Sequence, residues 1–243
     1  MKNLLKLLLL LVLAVYLGLA VTVLNNPEAR QRCSRVEVIV KDSDVAGFVT
    51  PSEIRAILKE ANMYPIGKKM SAINCGDIES VLARNPFIDN ITSYKTAGDR
   101  VYVTVTQRLP VMRVISDNGD NYYMDSRGKI MPHMHYSADL VVATGHISRR
   151  YAHSKLLPIG RLLKYDKFWD SQIEQINVDS AGNVELYPRI GNHVVYVGQP
   201  YGMPQKLKRL KAFYSQVLAQ VGWNKYCRID LEYDNQIICK KQD

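Results

Sequence analysis

The feature that most constrains this chain is an uncharged run near its start. Residues Leu7 to Leu24 carry no charged side chain, and Lys2 and Lys6 precede them. At about 1.5 Å per helical residue, the run would reach roughly 27 Å, which is close to the apolar thickness of a bilayer. Such a run has no polar face to present to water. We therefore predict a transmembrane helix over residues 7–24, behind a short cytoplasmic tail of residues 1–6.

A cleaved secretory signal is the alternative interpretation of the same run. It would have a shorter apolar core that ends at a small-x-small cleavage site. Gly18-Leu19-Ala20 offers such a site, but residues 21–24 continue the apolar run past it. The charge rule does not settle the orientation, because Lys6 and the arginines at 30, 32 and 35 flank the run on both sides. We favour an uncleaved anchor that exports the rest of the chain.

The composition excludes several classes of function. The formal net charge is +9, which in a cytosolic protein would suggest nucleic acid. The basic residues are spread along the chain, however, so no nucleic acid is expected. The densest basic group lies around a late helix, where we predict a solvated face: Lys206, Lys208, Arg209 and Lys211. A membrane-proximal domain that faces anionic headgroups would also tolerate this charge.

The potential metal and redox residues give no clear site. The cysteines at 33, 75, 227 and 239 have no C-x-x-C spacing, which argues against zinc. Disulfides and free thiols both remain open for an exported domain. His133 and His135 lack a neighbouring third ligand, and neither a nucleophile elbow nor a phosphate-binding glycine loop is present. No cofactor, metal or small-molecule substrate is expected.

Two regions follow a polar linker at residues 25–35. Residues 36–108 predict a β-α-α-β-β order. Thr50-Pro51-Ser52-Glu53 forms a capping box that starts the first helix, and Asn74 caps the second. The region ends in two strands at about Ile88–Lys95 and Arg100–Gln107. One sheet with two helices on one face would bury their apolar stripes.

The second region, residues 109–243, is mostly strand with helices between strands. Asp117–Asp120 and Asp125–Gly128 are hairpin turns. A helix is predicted over about residues 152–165, with a break near Pro158, and a late helix ends at Gly222. Tyr226–Tyr233 and Gln236–Lys241 close the chain as strands. The predicted fold class is therefore α+β: a transmembrane helix, a β-α-α-β-β domain and a mostly antiparallel β domain with helices on one side.

Several short motifs, taken together, resemble those of one family. Ile78–Leu82 and Asn85–Ile88 are similar to an "IE-x-x-L…NP-hydrophobic" pattern, and Gln107–Pro110 is similar to an "E-R-x-P" junction in which Gln107 replaces Glu. Tyr123–Gly128 is similar to "Y-x-D-x-x-G", and Lys206–Leu210 is similar to "K-L-x-R-L". Ile229–Tyr233 is similar to "I-D-L-R-Y", with Glu232 replacing Arg. Asn235-Gln236 with Lys240-Lys241 is similar to "N-Q…K-K". The combination resembles the bacterial cell-division family FtsQ, also called DivIB, over nearly the whole chain.

The resemblance implies a non-enzymatic divisome scaffold. Such a protein is a single-pass type II protein of the inner (cytoplasmic) membrane at the division septum, with most of the chain periplasmic or extracytoplasmic. Residues 36–108 would form a POTRA-like domain that takes part in recruitment, and residues 109–243 the FtsQ-type β domain. The β domain would bind the bitopic proteins FtsB and FtsL and help control septal peptidoglycan synthesis. Carried over, the partner contacts fall on Tyr233, Asn235, Gln236 and Ile237.

The chemistry of a sheet edge supports this expectation. A terminal strand at a sheet edge has unpaired N–H and C=O groups, which form a template for a partner strand. The alternative is that residues 226–241 form an ordinary closing hairpin. An anchored exported enzyme that acts on the cell wall is a rival of a different class, and it would require a pocket with convergent titratable groups. A POTRA-type transport or assembly factor is a third interpretation, disfavoured because the chain shows a single such module.

Overall fold

The computed structural model describes residues 2–19, 31–96, 98–133 and 139–242. Helix α1 covers Lys2–Leu19. The end of the predicted transmembrane segment, residues 20–24, lies outside the described residues, as does the linker up to residue 30. A search of the described part of the chain finds no helix with the length and apolar character needed to cross a membrane.

The chain divides into two compact units, with the boundary between Arg108 and Leu109. The N-terminal unit has a three-stranded sheet in the order β1-β3-β2, in which β1 pairs with β3 in parallel and β2 pairs with β3 antiparallel. Its elements follow the order expected from the sequence: β1 (Arg35–Val40), α2 (Pro51–Glu60), a 3-10 turn (Met70–Ala72), α3 (Cys75–Leu82), β2 (Ile88–Lys95) and β3 (Arg100–Gln107).

The start of α2 shows how local sequence determines this unit. The N–H of Glu53 donates to Thr50 Oγ1 at 3.3 Å, and the N–H of Thr50 donates to Glu53 Oε2 at 2.7 Å. The capping box predicted from the sequence is therefore present. It orients α2 so that Ile54 and Leu58 are fully buried. Asn74 caps α3 by accepting from the N–H of Gly76 at 2.9 Å.

The end of β3 is held by two buried polar side chains. Gln107 Oε1 accepts from the N–H of Val49 at 2.9 Å, and Gln107 Nε2 donates to the carbonyl oxygens of Asp42 and Ala46 at 2.9 and 2.7 Å. Arg108 lies 3.1 Å from Asp89 and donates to two backbone carbonyls of the segment leading into β2. Because Gln107 faces two acceptors, an amide suits this position better than the carboxylate of the E-R-x-P pattern.

Within the described residues, nine strands of the C-terminal unit form one sheet in the order β12-β11-β10-β9-β8-β7-β4-β5-β6. Most neighbouring pairs are antiparallel, as predicted, but β10–β11, β7–β8 and β4–β7 are parallel. The strands are β4 (Pro110–Ser116), β5 (Asn121–Asp125), β6 (Ile130–Pro132), β7 (Val142–Gly145), β8 (Ile173–Val178), β9 (Val184–Pro188), β10 (Val194–Gly198), β11 (Tyr226–Asp230) and β12 (Ile238–Lys241).

Helices cover one face of this large sheet and complete its core. They are α4 (Arg149–Tyr151), α5 (Leu157–Tyr165), α6 (Lys167–Gln172), α7 (Met203–Phe213) and α8 (Ala219–Val221), with π-helical turns at Ala152–Leu156 and Tyr214–Leu218. The predicted break near Pro158 is wrong. Pro158 has no N–H to donate, and the preceding turn widens so that the N–H of Leu157 donates to the carbonyl of Ala152. The helix therefore continues.

The substitution Gln107→Glu tests the account of the β3 end. A carboxylate there would face the carbonyls of Asp42 and Ala46, and the N-terminal unit should lose roughly 3 kcal/mol of stability at neutral pH. Protonation would restore one donor, so the loss should shrink as the pH falls below the raised pKa of the introduced carboxyl group. Native-state hydrogen exchange of residues 31–108 measures this stability. Asn90→Asp, which also exchanges an amide for a carboxylate but at an exposed position of the same unit, is the control, and equal effects of the two variants would contradict the account.

Candidate functional site

The large sheet has two edges among the described strands, and they differ in chemistry. The edge strand β6 is three residues long and ends in Pro132, which has no N–H to donate. The other edge strand, β12, is longer and leaves 49% of Ile238 exposed, followed by the exposed Lys240 and Lys241. Short length and proline protect an edge from further pairing, so β12 is the edge better suited to receive another strand.

Two hydrogen bonds show which backbone groups of β12 face outward. The N–H of Gln242 donates to the carbonyl of Lys225 at 3.2 Å, on the β11 side. On the far side of β11, the N–H of Leu231 donates to Tyr196 of β10 at 2.8 Å. Backbone groups alternate along a strand. The backbone groups of Ile238 and Lys240 therefore face β11, where these residues pair with Asp230 and Arg228. The N–H groups of Cys239 and Lys241 and the carbonyl of Cys239 face away from the sheet, whereas the Lys241 carbonyl accepts from Cys227 Sγ at 3.4 Å.

The side chains of β12 lie alternately on the two faces of the sheet. Cys239 is opposite the fully buried Ile229 and packs with Ile237 against the core under the helices. Ile238 and Lys240 consequently lie on the face without helices. A partner strand added to this edge would therefore meet an apolar side chain and a lysine on one face.

The structure places most of the predicted site residues in a loop rather than in strands. β11 ends at Asp230 and β12 begins at Ile238, so the predicted strands Tyr226–Tyr233 and Gln236–Lys241 are too long at this end. Asn235 has φ of 59°, a left-handed conformation that interrupts a strand. Of the four residues, Tyr233, Asn235 and Gln236 are exposed in this loop, and Ile237 is half-buried beside the core.

Basic residues of α7 hold this loop and the end of β10 in place. Arg209 Nη1 donates to the carbonyl of Tyr233 at 2.9 Å, and Arg209 Nη2 donates to that of Leu231 at 3.1 Å. Lys206 Nζ donates to the carbonyls of Val197 and Gln199 at 2.7 and 3.2 Å. Burial lowers the pKa of the Lys206 ammonium, and the charge of Arg209 lowers it further. Lys206 and Arg209 thus satisfy carbonyls at or just after the ends of two strands, β10 and β11.

The comparisons with known proteins cover nearly all of the described C-terminal residues and the N-terminal unit. Residues 109–240 match the family model described as "FtsQ/DivIB, C-terminal related". The chain belongs to the FtsQ/DivIB family. Residues 31–106 match the model of a POTRA-like domain. No curated protein matches the chain.

Membership of the FtsQ/DivIB family confirms the resemblance found in the sequence. FtsQ/DivIB-type domains indicate a cell-division scaffold, and the family is one of non-enzymatic scaffolds that act through protein–protein interaction in the divisome. The fold agrees: a POTRA-like unit precedes a unit with one large sheet.

The family's K-L-x-R-L motif has a structural role that the sequence analysis missed. We predicted a solvated helix face, but Lys206 is 8% exposed and Arg209 is half-buried on backbone carbonyls. Lys208 and Lys211 do lie at the surface, and Lys211 Nζ is 4.5 Å from the ring centre of Phe168. Lys206 lies three residues after the buried Met203 and four before the buried Leu210, and this spacing, which puts it on the same helix face, is the sequence signal that marks it as near the core.

Departures from the family pattern change the charge of the loop. Glu232, which replaces the Arg of I-D-L-R-Y, is exposed, and its N–H donates to Asp230 Oδ1 at 2.9 Å. Asp230, Glu232 and Asp234 oppose the lowering of the Lys206 pKa through their charges. The loop end of β12 is therefore acidic, whereas the other end carries Lys240 and Lys241.

The cysteines, the potential metal ligands and the cavities give few further candidates for a site in the described residues. All four cysteines lie in the described part of the chain and are free thiols. A search of the described residues finds no group of three or more His, Cys, Asp or Glu side chains arranged for a metal ion; His135 lies outside them. A groove of about 320 Å³ beside α5 is lined mainly by apolar side chains, among them Pro158, Leu162 and Tyr201.

An aromatic cluster next to the start of β10 contains a buried histidine. His193 Nε2 and the Tyr214 hydroxyl are 2.8 Å apart, and the His193 ring stacks on Trp223 at 6.4 Å between ring centres. Gly191 allows this packing, because a Cβ there would lie 2.8 Å from His193 Nδ1. Burial lowers the pKa of His193 and raises that of Tyr214. The folded unit therefore holds a neutral imidazole.

The lowered pKa of His193 predicts how the stability of the C-terminal unit depends on pH. The unfolded chain takes up a proton near pH 6.5, whereas folded His193 takes one up only at lower pH. As the pH falls below about 6.5, the free energy of unfolding should decrease, by at most about 1.4 kcal/mol per pH unit. Denaturation followed by the fluorescence of Trp169 and Trp223, both in this unit, measures it. His193→Gln should flatten the profile; an unchanged slope in that variant would refute the assignment.

Proposed function

We propose that this protein is a membrane-anchored division scaffold that binds a strand of the bitopic proteins FtsB and FtsL along β12. The observation that carries the proposal is the outward direction of the N–H groups of Cys239 and Lys241 and of the Cys239 carbonyl. It follows from the hydrogen bonds of Gln242 to Lys225 and of Leu231 to Tyr196. These groups supply two donors and one acceptor in the spacing of a strand, and the Lys241 carbonyl already accepts from Cys227 Sγ. Through this complex the scaffold helps to control septal peptidoglycan synthesis.

Side chains around β12 define the chemistry of the partner strand. Ile238 offers an apolar contact of which about half is still exposed to solvent. Lys240 and Lys241 lie on opposite faces of the strand and favour carboxylates on the partner at that end. Edge lysines also disfavour pairing with a second copy of the same strand, because like charges would face each other. The edge therefore favours a different, acidic partner.

The loop before β12 extends this surface. Tyr233 is 51% exposed, and Asn235 and Gln236 are exposed beside it. Arg209 fixes the loop through the carbonyls of Leu231 and Tyr233, so little conformational entropy would be lost on binding. We assign Tyr233, Asn235, Gln236 and Ile237 to contacts just beyond the end of the added strand, with Glu232 selecting a basic rather than an acidic group there.

The other parts of the chain complete the proposal. Residues 7–24 would anchor the protein in the inner membrane as a single-pass type II protein, with the tail of residues 1–6 in the cytoplasm and the rest extracytoplasmic. What supports this topology is the uncharged run in the sequence. Residues 36–108 would take part in recruitment to the septum by upstream divisome proteins. The protein would have no catalytic role of its own.

A proline in β12 tests the edge directly. In Lys241→Pro the outward N–H is lost while the inward hydrogen bonds of Lys240 and Gln242 to the β11 side can still form. Capture of FtsB by the purified full chain should weaken at least about tenfold, because a buried acceptor of the partner would lose its donor. Lys241→Ala keeps the N–H and is the matched control.

The comparison of these two variants separates backbone pairing from side-chain charge. If Lys241→Ala weakens capture as much as Lys241→Pro, the lysine charge rather than the strand edge carries binding, and the proposed mode is wrong. Deleting residues 226–241 would be a poor test, because Ile229 and Leu231 are fully buried in the core. The fluorescence of Trp169 and Trp223 checks that each variant stays folded.

A further inference from the structure

Six basic side chains gather at the end of the N-terminal unit where the chain enters β1. Five are exposed and one, Lys95, is half-buried: Arg32, Arg35, Lys68, Lys69, Lys95 and Arg100. They come from three separate parts of the sequence, namely the residues around the start of β1, the loop before the 3-10 turn, and the hairpin between β2 and β3. We call this group the basic end.

Backbone pairing brings these segments together. Arg32 forms a β-bridge with Lys69, and the N–H of Cys33 donates to the carbonyl of Lys68 at 2.9 Å. Arg35 is the register partner of Arg100 at the start of β1 and β3. Lys95 Nζ donates to the carbonyl of Met70 at 3.1 Å. The basic end is therefore built on fixed backbone and is not a chance grouping of mobile side chains.

The carboxylates that the structure describes near this surface are fewer than its basic side chains. Glu37 Oε1 lies 4.0 Å from Arg35 and 3.9 Å from Arg100. Asp99 accepts a hydrogen bond from Ser34, and Asp77 lines a shallow cavity together with Lys68. Among the described residues, the five exposed basic side chains thus outnumber these three carboxylates, and the surface attracts anions.

An exposed apolar residue stands beside the lysines. Ile66 is 49% exposed, directly after Pro65. Gly67 follows with φ of 81°, and a Cβ added there would meet nothing within 4 Å, so the loop tip is open to its surroundings. Arg32 Nη1 donates to the carbonyl of Gly67 at 2.7 Å and holds the tip in place. An apolar tip flanked by basic side chains is the pattern of a surface that rests at a membrane interface.

The position of the basic end in the chain indicates which anionic surface it meets. Residues 20–30 connect α1 to Gln31, and a chain of that length spans at most about 40 Å. If residues 7–24 are the anchor, as proposed above, the basic end is the part of the folded chain that is delivered next to the bilayer. We propose that the basic end binds anionic phospholipid headgroups, with Ile66 at the interface, and so restricts how the POTRA-like unit sits on the membrane. This inference rests on the proposed anchor.

Acetylation of lysines in the reconstituted full chain tests the contact. The chain is placed in vesicles of phosphatidylcholine alone or with phosphatidylglycerol, and the rate at each lysine is followed by mass spectrometry. With phosphatidylglycerol, Lys68 and Lys69 should react roughly fivefold more slowly relative to the exposed Lys208, because each gains a favourable interaction with the anionic surface. High salt should remove the protection. Equal relative rates in the two kinds of vesicle would overturn the inference.

Two isoleucine variants separate this inference from the partner-binding proposal. Ile66 and Ile238 are both 49% exposed, so aspartate at either position should leave the fold intact. Ile66→Asp should lose the lipid-dependent protection and retain capture of FtsB, whereas Ile238→Asp should do the opposite. Protection that survives in Ile66→Asp would refute the role of the loop tip. A chain that alkaline carbonate extracts from both kinds of vesicle would refute the anchor, and the lipid contact with it.

Discussion

An open β-sheet leaves unpaired hydrogen-bonding groups along its two outer strands, and this constraint organises the C-terminal unit. Backbone N–H and C=O groups that lack a partner are a template for other chains. Among the described strands, β6 leaves few such groups open to another chain, because it is short and ends in Pro132. β12 instead keeps the N–H groups of Cys239 and Lys241 directed outward, and it carries lysines that discourage self-pairing. The difference between the two edges is what makes one of them a candidate binding site.

The edge is useful only if it is rigid, and α7 supplies that rigidity. Lys206 and Arg209 donate to carbonyls of Val197, Gln199, Leu231 and Tyr233, which lie where strands end and the ladder no longer satisfies them. All four bonds are charge-assisted, and three of them are partly or fully shielded from water, the exception being the exposed bond to Tyr233. The shielded bonds are therefore stronger than ordinary surface contacts. The stability of the helix layer and the shape of the binding edge are therefore coupled.

Much of the fold could be predicted because its signals are local. The capping box at Thr50 and the order β-α-α-β-β depend on neighbouring residues and on periodicity, and both are present in the structure. The last two predicted strands left Asp234-Asn235 between them, and Asn235 does have the positive φ that Asn tolerates. Their ends were nevertheless two or three residues too long, because Leu231, Tyr233 and Ile237 are apolar residues that also suit a strand. The parallel pairs of the large sheet depend on long-range packing and leave no local pattern.

The candidate site was harder to predict than the fold. The sequence shows only that Lys206–Lys211 is rich in positive charge, which is typical of a solvated helix face. The backbone carbonyl that accepts from the buried Lys206 belongs to β10, which is distant in sequence, so the contact cannot be predicted from the local pattern. The basic end of the N-terminal unit was missed for a similar reason, because its members are dispersed between residues 32 and 100. The family resemblance directed the site prediction to the last two strands, where the structure places Tyr233, Gln236 and Ile237 in a loop rather than in strands; binding of a partner at this edge stays a prediction.

Residue-resolved hydrogen exchange along β12 tests the central claim most directly. In the protein alone, the amides of Cys239 and Lys241 should exchange quickly and those of Ile238 and Lys240 slowly, because only the latter face β11. Adding the extracytoplasmic segment of FtsB should slow exchange at Cys239 and Lys241 while leaving Ile238 and Lys240 nearly unchanged. Binding that leaves the amides of Cys239 and Lys241 fast would contradict the account.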